Sequence, residues 1–136
     1  MIVVDTNIVG YLFLASEYSD QAEQLLAKDM PWAAPYLWRS ELRNVLTNCL
    51  KKELIELEDA LQIIAEAEQL MQDLEYEVVS SNVLMLSAQS GCSAYDCEFI
   101  ALAMDLKVPL ITCDKKLLAQ FPQVAVSLDD FLSGPL

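Results

Sequence analysis

The opening stretch, Met1-Ile2-Val3-Val4-Asp5-Thr6-Asn7, decides the fold class of this chain. Residues 2–4 are β-branched and apolar without alternation, which is typical of a short strand buried on both faces. Polar residues follow at once, and Asp5 can cap a helix that begins just after it. A buried strand that leads directly into a helix predicts an α/β fold built on parallel strands.

The same alternation of strand and helix continues to the end of the chain. Further strands are predicted at 30–34, 76–79, 108–113 and 124–127. Helices are predicted at 8–14, 19–26, 36–52, 60–74, 83–89, 95–106 and 115–119. Strands that alternate with helices imply right-handed crossovers and a mostly parallel sheet covered on both faces.

Length and composition favour one folded domain over residues 1–136. Apolar residues make up 54% of the chain, which argues against disorder. No apolar run approaches the roughly 20 residues of a membrane span, and the start lacks the basic region of a signal peptide. We therefore expect a cytoplasmic protein without a membrane partner. Its four cysteines, which form no CxxC pair, are expected to be reduced core thiols.

The net charge of −13 restricts how the protein can meet nucleic acid. A binder that works by bulk electrostatics needs a basic face, which this composition does not favour. An enzyme that handles phosphates through a bound metal and a local basic patch stays possible. Many of the acids lie at 53–77, where they predict a solvated helix surface.

Four acidic residues stand apart from that surface: Asp5, Glu41, Asp96 and Asp114. Asp5 and Asp114 each end an apolar strand, whereas Glu41 and Asp96 lie in helical segments. Taken singly, each has a structural explanation, as a helix cap, a partner of a helix dipole or a surface charge. Residue spacing on the 36–52 helix places Asn44, Val45 and Asn48 on the same side as Glu41, with Arg39 and Arg43 roughly opposite.

Taken together, the four acids predict a metal site. Parallel α/β sheets bind ligands beyond the carboxyl ends of their strands, where two acids at strand ends and two on helices can converge. Converging carboxylates raise one another's pKa, and a hard divalent cation such as Mg²⁺ or Mn²⁺ relieves that conflict. The chain contains no histidine, so an imidazole acid–base pair is excluded for any hydrolysis it performs.

Four short motifs surround these acids. They are Val4-Asp5-Thr6-Asn7, Ser40-Glu41-Leu42-Arg43-Asn44-Val45-Leu46, Tyr95-Asp96-Cys97-Glu98-Phe99-Ile100-Ala101-Leu102-Ala103 and Leu110-Ile111-Thr112-Cys113-Asp114. In order and spacing they resemble the motifs of PIN-domain proteins. The chain is similar, over nearly its whole length, to the toxin ribonucleases of VapBC-type toxin–antitoxin pairs.

This resemblance implies a three-layer α/β/α sandwich with a central, mostly parallel sheet. It also implies an endoribonuclease site formed by Asp5, Glu41, Asp96 and Asp114, with Asp5, Asp96 and Asp114 on Mg²⁺ or Mn²⁺. By the same match, the supporting residues would be Thr6, Asn7, Ser93 and Thr112. An RNA substrate, a cognate antitoxin and a homodimer are the partners that the resemblance implies.

One departure from the family pattern concerns the residues after the fourth acid. Many members carry a further acidic or small polar residue there, whereas this chain has Lys115 and Lys116. These lysines would either contact the RNA backbone or weaken a second metal position, so the number of metals stays open. Glu41 would accordingly bind a second metal or orient the attacking water.

Three other classes of protein share some of these sequence features. The first is a PIN-like protein-interaction module with a degenerate or silent nuclease site. A receiver-like domain fits less well, because only one acid follows the first strand and no strand-ending aspartate lies mid-chain. A nucleotide-binding Rossmann domain is poorer still, since the three glycines form no phosphate loop.

Overall fold

A computed structural model of the chain describes residues 1–134, in which five strands alternate with eight helices. The strands are β1 (Ile2–Val4), β2 (Trp32–Pro35), β3 (Glu75–Tyr76), β4 (Leu110–Ile111) and β5 (Ala125–Val126). The helices are α1 (Thr6–Phe13), α2 (Ser19–Lys28), α3 (Leu37–Lys51), α4 (Leu57–Leu70), α5 (Ser80–Ser90), α6 (Ala94–Leu106), α7 (Lys115–Gln120) and α8 (Leu128–Ser133).

The five strands form one parallel sheet in the order β3-β2-β1-β4-β5. Helices α1 to α4 pack on one another, and α8 packs on α2. Helix α6 lies against β1, β2 and β4 and carries α5 on its outer side. This arrangement confirms the α/β sandwich with a helix-flanked, parallel central sheet.

The core is formed by the apolar runs that the sequence analysis assigned to buried strands and helices. All three residues of β1 are fully buried, as expected for a central strand. In α6 the consecutive run Phe99–Ala103 is buried, because this helix is apolar around most of its circumference and lies on the sheet. Within residues 1–134, no helix is both long and apolar enough to cross a membrane.

The cysteines divide into two kinds. Cys92 and Cys97 are buried, whereas Cys49 and Cys113 are half-buried, and all four are free thiols.

Three elements that differ from the sequence prediction are β3, α5 and α8. Strand β3 lies at Glu75–Tyr76 instead of 76–79, because the chain pairs with β2 through Leu74, whose carbonyl accepts from Ala34 N at 3.1 Å. The segment then leaves the sheet, and α5 begins at Ser80 instead of 83. Helix α8 was not predicted; the Ser127 hydroxyl caps it by accepting from Asp130 N at 3.0 Å.

The strand order defines a switch point beside β1. From β1 the chain proceeds to β2 and β3 on one side, and it then returns to β4 and β5 on the other side. The crossover helices leave β1 and β4 in different directions, which opens a crevice beyond the carboxyl ends of these two strands. The fold therefore places its natural ligand-binding crevice where Asp5 and Asp114 stand.

Candidate active site

The structure brings all four predicted acids into one pocket at this crevice. The pocket has a volume of about 230 Å³. It is lined by Asp5, Thr6, Asn7, Glu41, Asn44, Val45, Asp96 and Asp114. We call this group the acid pocket. Acids that are up to 109 residues apart in sequence thus meet where β1 and β4 end, where α1, α6 and α7 begin, and where α3 contributes Glu41.

Asp5 joins the acid pocket to the sheet. Its backbone N–H donates to the Ile111 carbonyl at 3.1 Å, which continues the pairing of β1 with β4. It occupies the N-cap position of α1, but its side chain makes no capping hydrogen bond. Instead, the carboxylate accepts from the hydroxyl of Thr112 at 2.7 Å, so helix capping does not explain this side chain.

The surroundings of Asp5 disfavour its negative charge. Burial raises the pKa of the Asp5 carboxyl, and repulsion by Asp96 and Asp114 raises it further. The hydrogen bond from Thr112 and one from the backbone of Thr6 lower the pKa, but they do not cancel the rise. The carboxylate therefore retains charge that its protein neighbours only partly compensate.

Glu41 has a similar environment to that of Asp5. It lies on α3, which follows β2, and its carboxylate accepts from the Thr6 hydroxyl at 2.6 Å. Burial raises the pKa of Glu41, and the charges of Asp5, Asp96 and Glu98 add to that rise. Glu41 is therefore half-buried and engaged, unlike a surface charge on an amphipathic helix.

Asp96 lies in the first turn of α6. Its backbone N–H donates to the hydroxyl of Ser93 at 3.1 Å, so Ser93 caps the helix and holds the residue in place. Burial raises the pKa of Asp96, and repulsion by Asp114 adds to the rise. The Ser93 hydrogen bond and the cation of Lys116 act in the opposite direction.

Asp114 combines two roles. It caps α7, because its carboxylate accepts from Leu117 N at 3.0 Å, which confirms the structural explanation for this residue. It also lines the acid pocket beside the other three acids. Its own backbone N–H donates to the Thr112 hydroxyl at 3.0 Å, so one buried threonine contacts both strand-ending acids.

The four supporting residues differ in what they touch. Thr6 and Thr112 donate directly to carboxylates of the acid pocket, as described above. Asn7 lines the pocket and is exposed to solvent, whereas Ser93 acts through the backbone of Asp96. Hydroxyl groups that lock carboxylates in one orientation are typical of sites that bind cations or reacting groups.

Other residues near the acid pocket were foreseen only in part. Asn44 and Val45 line it, as their position on the Glu41 side of the helix suggested, while Asn48 is exposed farther along α3. The sequence analysis did not predict Glu98 as a neighbour of Glu41, because residues two apart on a helix, such as Asp96 and Glu98, point to different sides. Lys116 donates from Nζ to the Gly91 carbonyl at 2.7 Å.

Arg39 does not form part of the acid pocket. Its guanidinium binds Glu75 and Glu68 instead, which agrees with its prediction on the side of the helix away from Glu41. Trp32 and Trp38 are fully buried and belong to the core.

The donor set of the acid pocket fits a hydrated divalent cation. Within residues 1–134, no three His, Cys, Asp or Glu side chains stand close enough to form a direct ligand set for one metal ion. However, all donors in the pocket are oxygens, their charges repel one another, and its volume leaves room for water. Mg²⁺ keeps several waters and uses only one or two carboxylates, so this geometry suits it.

Comparisons with known proteins identify the family and the fold of this chain. The family model described as PIN domain matches residues 2–125. A curated protein of Pyrobaculum aerophilum named Ribonuclease VapC3 is 26% identical over 124 residues, covering 89% of this chain and 95% of the relative.

Solved structures share the fold at low sequence identity. A crystal structure of a Pyrobaculum aerophilum protein has a TM-score of 0.76 at 17% identity, covering 96% of this chain and 85% of its own. A toxin–antitoxin complex from Klebsiella pneumoniae has a TM-score of 0.70 at 20% identity, covering 94% of this chain and 98% of its own. At these identities the two structures support the fold alone.

Proposed function

Because this chain belongs to the PIN-domain family, we propose that it is a metal-dependent endoribonuclease and the toxin of a type II toxin–antitoxin pair. The observation that carries the proposal is the meeting of Asp5, Glu41, Asp96 and Asp114 in one pocket at the switch point of the sheet. The choice of RNA as substrate is supported by the name of the curated relative, a ribonuclease.

In the proposed site, Asp5, Asp96 and Asp114 would hold Mg²⁺ or Mn²⁺, directly or through water. The bound ion would polarise the scissile phosphate and lower the pKa of a water molecule. Thr112 keeps the Asp5 carboxylate oriented through its donated hydrogen bond. We assign this metal chemistry to the pocket because the chain lacks the histidines that other ribonucleases use.

Glu41 is the acid that we assign to the attacking water. The Thr6 hydroxyl fixes one oxygen of its carboxylate, which leaves the other oxygen free to orient water or to bind a second ion. Because burial raises the pKa of Glu41, its carboxylate is also a better proton acceptor than an ordinary glutamate. Asn7 and Asn44, both exposed on the pocket wall, would donate to phosphate or sugar oxygens.

The wider biological unit is also part of the proposal. We treat residues 1–136 as one nuclease domain that acts on RNA in the cytoplasm. A cognate antitoxin and a second copy of the chain are its proposed partners. A neighbour of the same fold was solved as a toxin–antitoxin complex, which supports the antitoxin as a partner.

A second candidate function is a PIN-like interaction module with a silent site. One observation favours it: in residues 1–134 the acids do not form a direct ligand set as they stand. The two functions differ in a simple property, because only a nuclease loses measurable activity when an acid of the pocket is neutralised.

The test is hydrolysis of labelled single-stranded RNA with Mg²⁺, with Mn²⁺ and with EDTA. We expect cleavage by the wild type with either metal, none with EDTA, and a loss of about 10²-fold or more in Asp5→Asn and Asp96→Asn. Glu23→Gln is the matched control, since Glu23 is an exposed acid on α2.

Equal cleavage by the wild type and both pocket variants would discard the nuclease assignment. No cleavage by a folded, metal-loaded wild type, purified free of any antitoxin, would favour the silent module instead. Circular dichroism of each variant ensures that a lost activity is not a lost fold.

A further inference from the structure

Two tyrosines form an aromatic pair next to the acid pocket. The ring centroids of Tyr11 and Tyr18 lie 4.8 Å apart, and the ring planes are inclined by 35°. Tyr11 is half-buried, whereas Tyr18 is exposed by 37%. A tyrosine ring that packs on a second ring but keeps an open face is suited to receive a third flat group.

Helix α1 connects this pair to the acid pocket. Asn7 lines the pocket, and Tyr11 follows it by four residues on the same helix. Residues four apart lie on the same side of a helix, about 6 Å apart along its axis. Burial raises the pKa of Tyr11, and the Asp5 carboxylate adds to that rise, which agrees with a short distance between the ring and the pocket.

The loop before α2 holds Tyr18 in place. Tyr18 N donates to the Ser16 hydroxyl at 3.1 Å, and Ser16 N donates to the Ser19 hydroxyl at 3.0 Å. The Ser19 hydroxyl in turn donates to the Leu14 carbonyl at 3.0 Å. These hydrogen bonds already order the loop. Binding of a ligand to the Tyr18 ring therefore costs little conformational entropy of the protein.

The charge around the pair selects which part of a nucleic acid can bind there. The neighbouring carboxylate of Glu17 raises the pKa of the Tyr18 hydroxyl, which places negative charge beside the ring. A phosphate is repelled by that charge, whereas an uncharged base is not. Base-on-aromatic stacking is the usual way in which proteins hold the bases of unpaired strands.

We propose that Tyr11 and Tyr18 form a stacking site for a base of single-stranded RNA, adjacent to the phosphate that is cleaved. This inference rests on the proposed nuclease function and deepens it. It defines the substrate class as unpaired RNA, because a base inside a duplex cannot offer its face to Tyr18. The site imposes little base preference, since every base has a π-face.

The experiment compares Tyr18→Ala, Tyr18→Phe and wild type on one oligoribonucleotide, on versions with a single abasic position moved along the strand, and on its duplex. We expect Tyr18→Ala to raise KM by roughly 5- to 100-fold with little change in kcat. Tyr18→Phe keeps the ring and should behave as the wild type. Leu84→Ala, at an exposed apolar residue on α5, is the matched control.

Two readouts separate stacking from a structural role. One abasic position should raise KM for the wild type but have no further effect on Tyr18→Ala. The salt dependence of RNA affinity should be the same in both proteins, because stacking releases no counterions. Preferred cleavage of the duplex would overturn the inference, as would an unchanged KM in Tyr18→Ala.

Failure of this inference differs from failure of the proposed function. A wild type that cleaves RNA with metal, together with an unaffected Tyr18→Ala, rejects only the stacking site. A wild type that neither cleaves nor binds the oligoribonucleotide rejects both.

Discussion

The acid pocket and the surroundings of Arg39 shift the pKa values of their acids in opposite directions. Around Arg39, the Glu75 carboxylate accepts from Arg39 Nη2 at 2.6 Å and from Trp38 Nε1 at 2.8 Å. These bonds, with the one from Arg39 Nε, lower the pKa of Glu75. In the acid pocket, burial and mutual repulsion raise the pKa of Asp5, Glu41 and Asp96.

The difference lies in the charge of the donors. Glu75 meets a guanidinium, whereas Asp5 and Glu41 accept from neutral groups, the hydroxyls of Thr112 and Thr6 and, for Asp5, the backbone of Thr6. Neutral donors fix the orientation of a carboxylate without compensating its negative charge. Acids of the first kind stabilise the fold. Acids of the second kind carry charge that their neighbours compensate only in part, which costs stability, and the proposed function assigns that charge to a metal ion.

Thr112→Val should give the largest difference between the two regions. This substitution removes the donor to Asp5 and the acceptor for Asp114 N while it keeps the shape of the side chain. If the hydroxyl positions a catalytic acid, kcat for RNA should fall by about 10- to 100-fold. Steady-state kinetics under saturating Mg²⁺ measure the effect.

Thr47→Val is the matched control for Thr112. The Thr47 hydroxyl donates to the Arg43 carbonyl in the exposed part of α3, so the same atoms change away from the acid pocket. Equal activities of the two valine variants would mean that the Thr112 hydroxyl has no positioning role.

The stabilising character of the other region is tested by Glu75→Gln. The variant leaves the partly exposed Arg39 with weaker partners, so the free energy of unfolding should fall by about 1–3 kcal/mol. Urea unfolding monitored by circular dichroism measures the loss. The activity of the folded fraction should be unchanged, because Glu75 does not line the acid pocket.

Glu68→Gln provides the graded control for Glu75. Glu68 is a more exposed partner of Arg39, at 3.2 Å, and its loss should cost about 0.2–1 kcal/mol. A larger loss in Glu68→Gln than in Glu75→Gln would contradict the view that Glu75 is the main partner.

The smallest expected effect concerns how the free energy of unfolding depends on pH, which should have opposite signs in the two regions. A pKa that is raised on folding makes the ionised Asp5 destabilising at neutral pH, and this cost disappears below about pH 4. In EDTA, Asp5→Asn should therefore be more stable than the wild type at pH 7, and the gain should vanish at low pH.

Glu75 should show the reverse trend. Its pKa is lowered on folding, so its contribution is complete above about pH 4.3 and is lost as the pH falls further. The deficit of Glu75→Gln should shrink in acid. Urea titrations of both variants at several pH values measure the trends, and parallel profiles would contradict the comparison.

Much of the acid pocket could be predicted because several of its residues are marked by their immediate neighbours in the sequence. Asp5 and Asp114 directly follow apolar runs, and parallel strands end at a common edge, so their proximity follows from the fold class. The PIN-domain resemblance of the four motifs is confirmed by the family model that matches residues 2–125. It also pointed to Glu41 and Asp96, which lie on helices without a comparable positional signal.

The remaining features depend on contacts that sequence does not specify. Arg39 binds Glu75, 36 residues away, and Glu68, 29 residues away, in a region with many other acids that looked equally suitable. The position of β3 depends on its register with β2. Helix α8 did leave a signal, Ser127 followed by Asp130, but the preceding apolar residues favoured a strand.

The shortness of β1 has a consequence for how this protein tolerates change. Only three residues separate Met1 from Asp5, and side chains along a strand alternate between its two faces. Removal of Val4 would force one of two changes: the remaining strand residues shift by one position and change faces, or Asp5 moves away from Thr112. A one-codon deletion there would thus disturb either the buried strand or the position of Asp5, although it discards nothing but a valine or isoleucine.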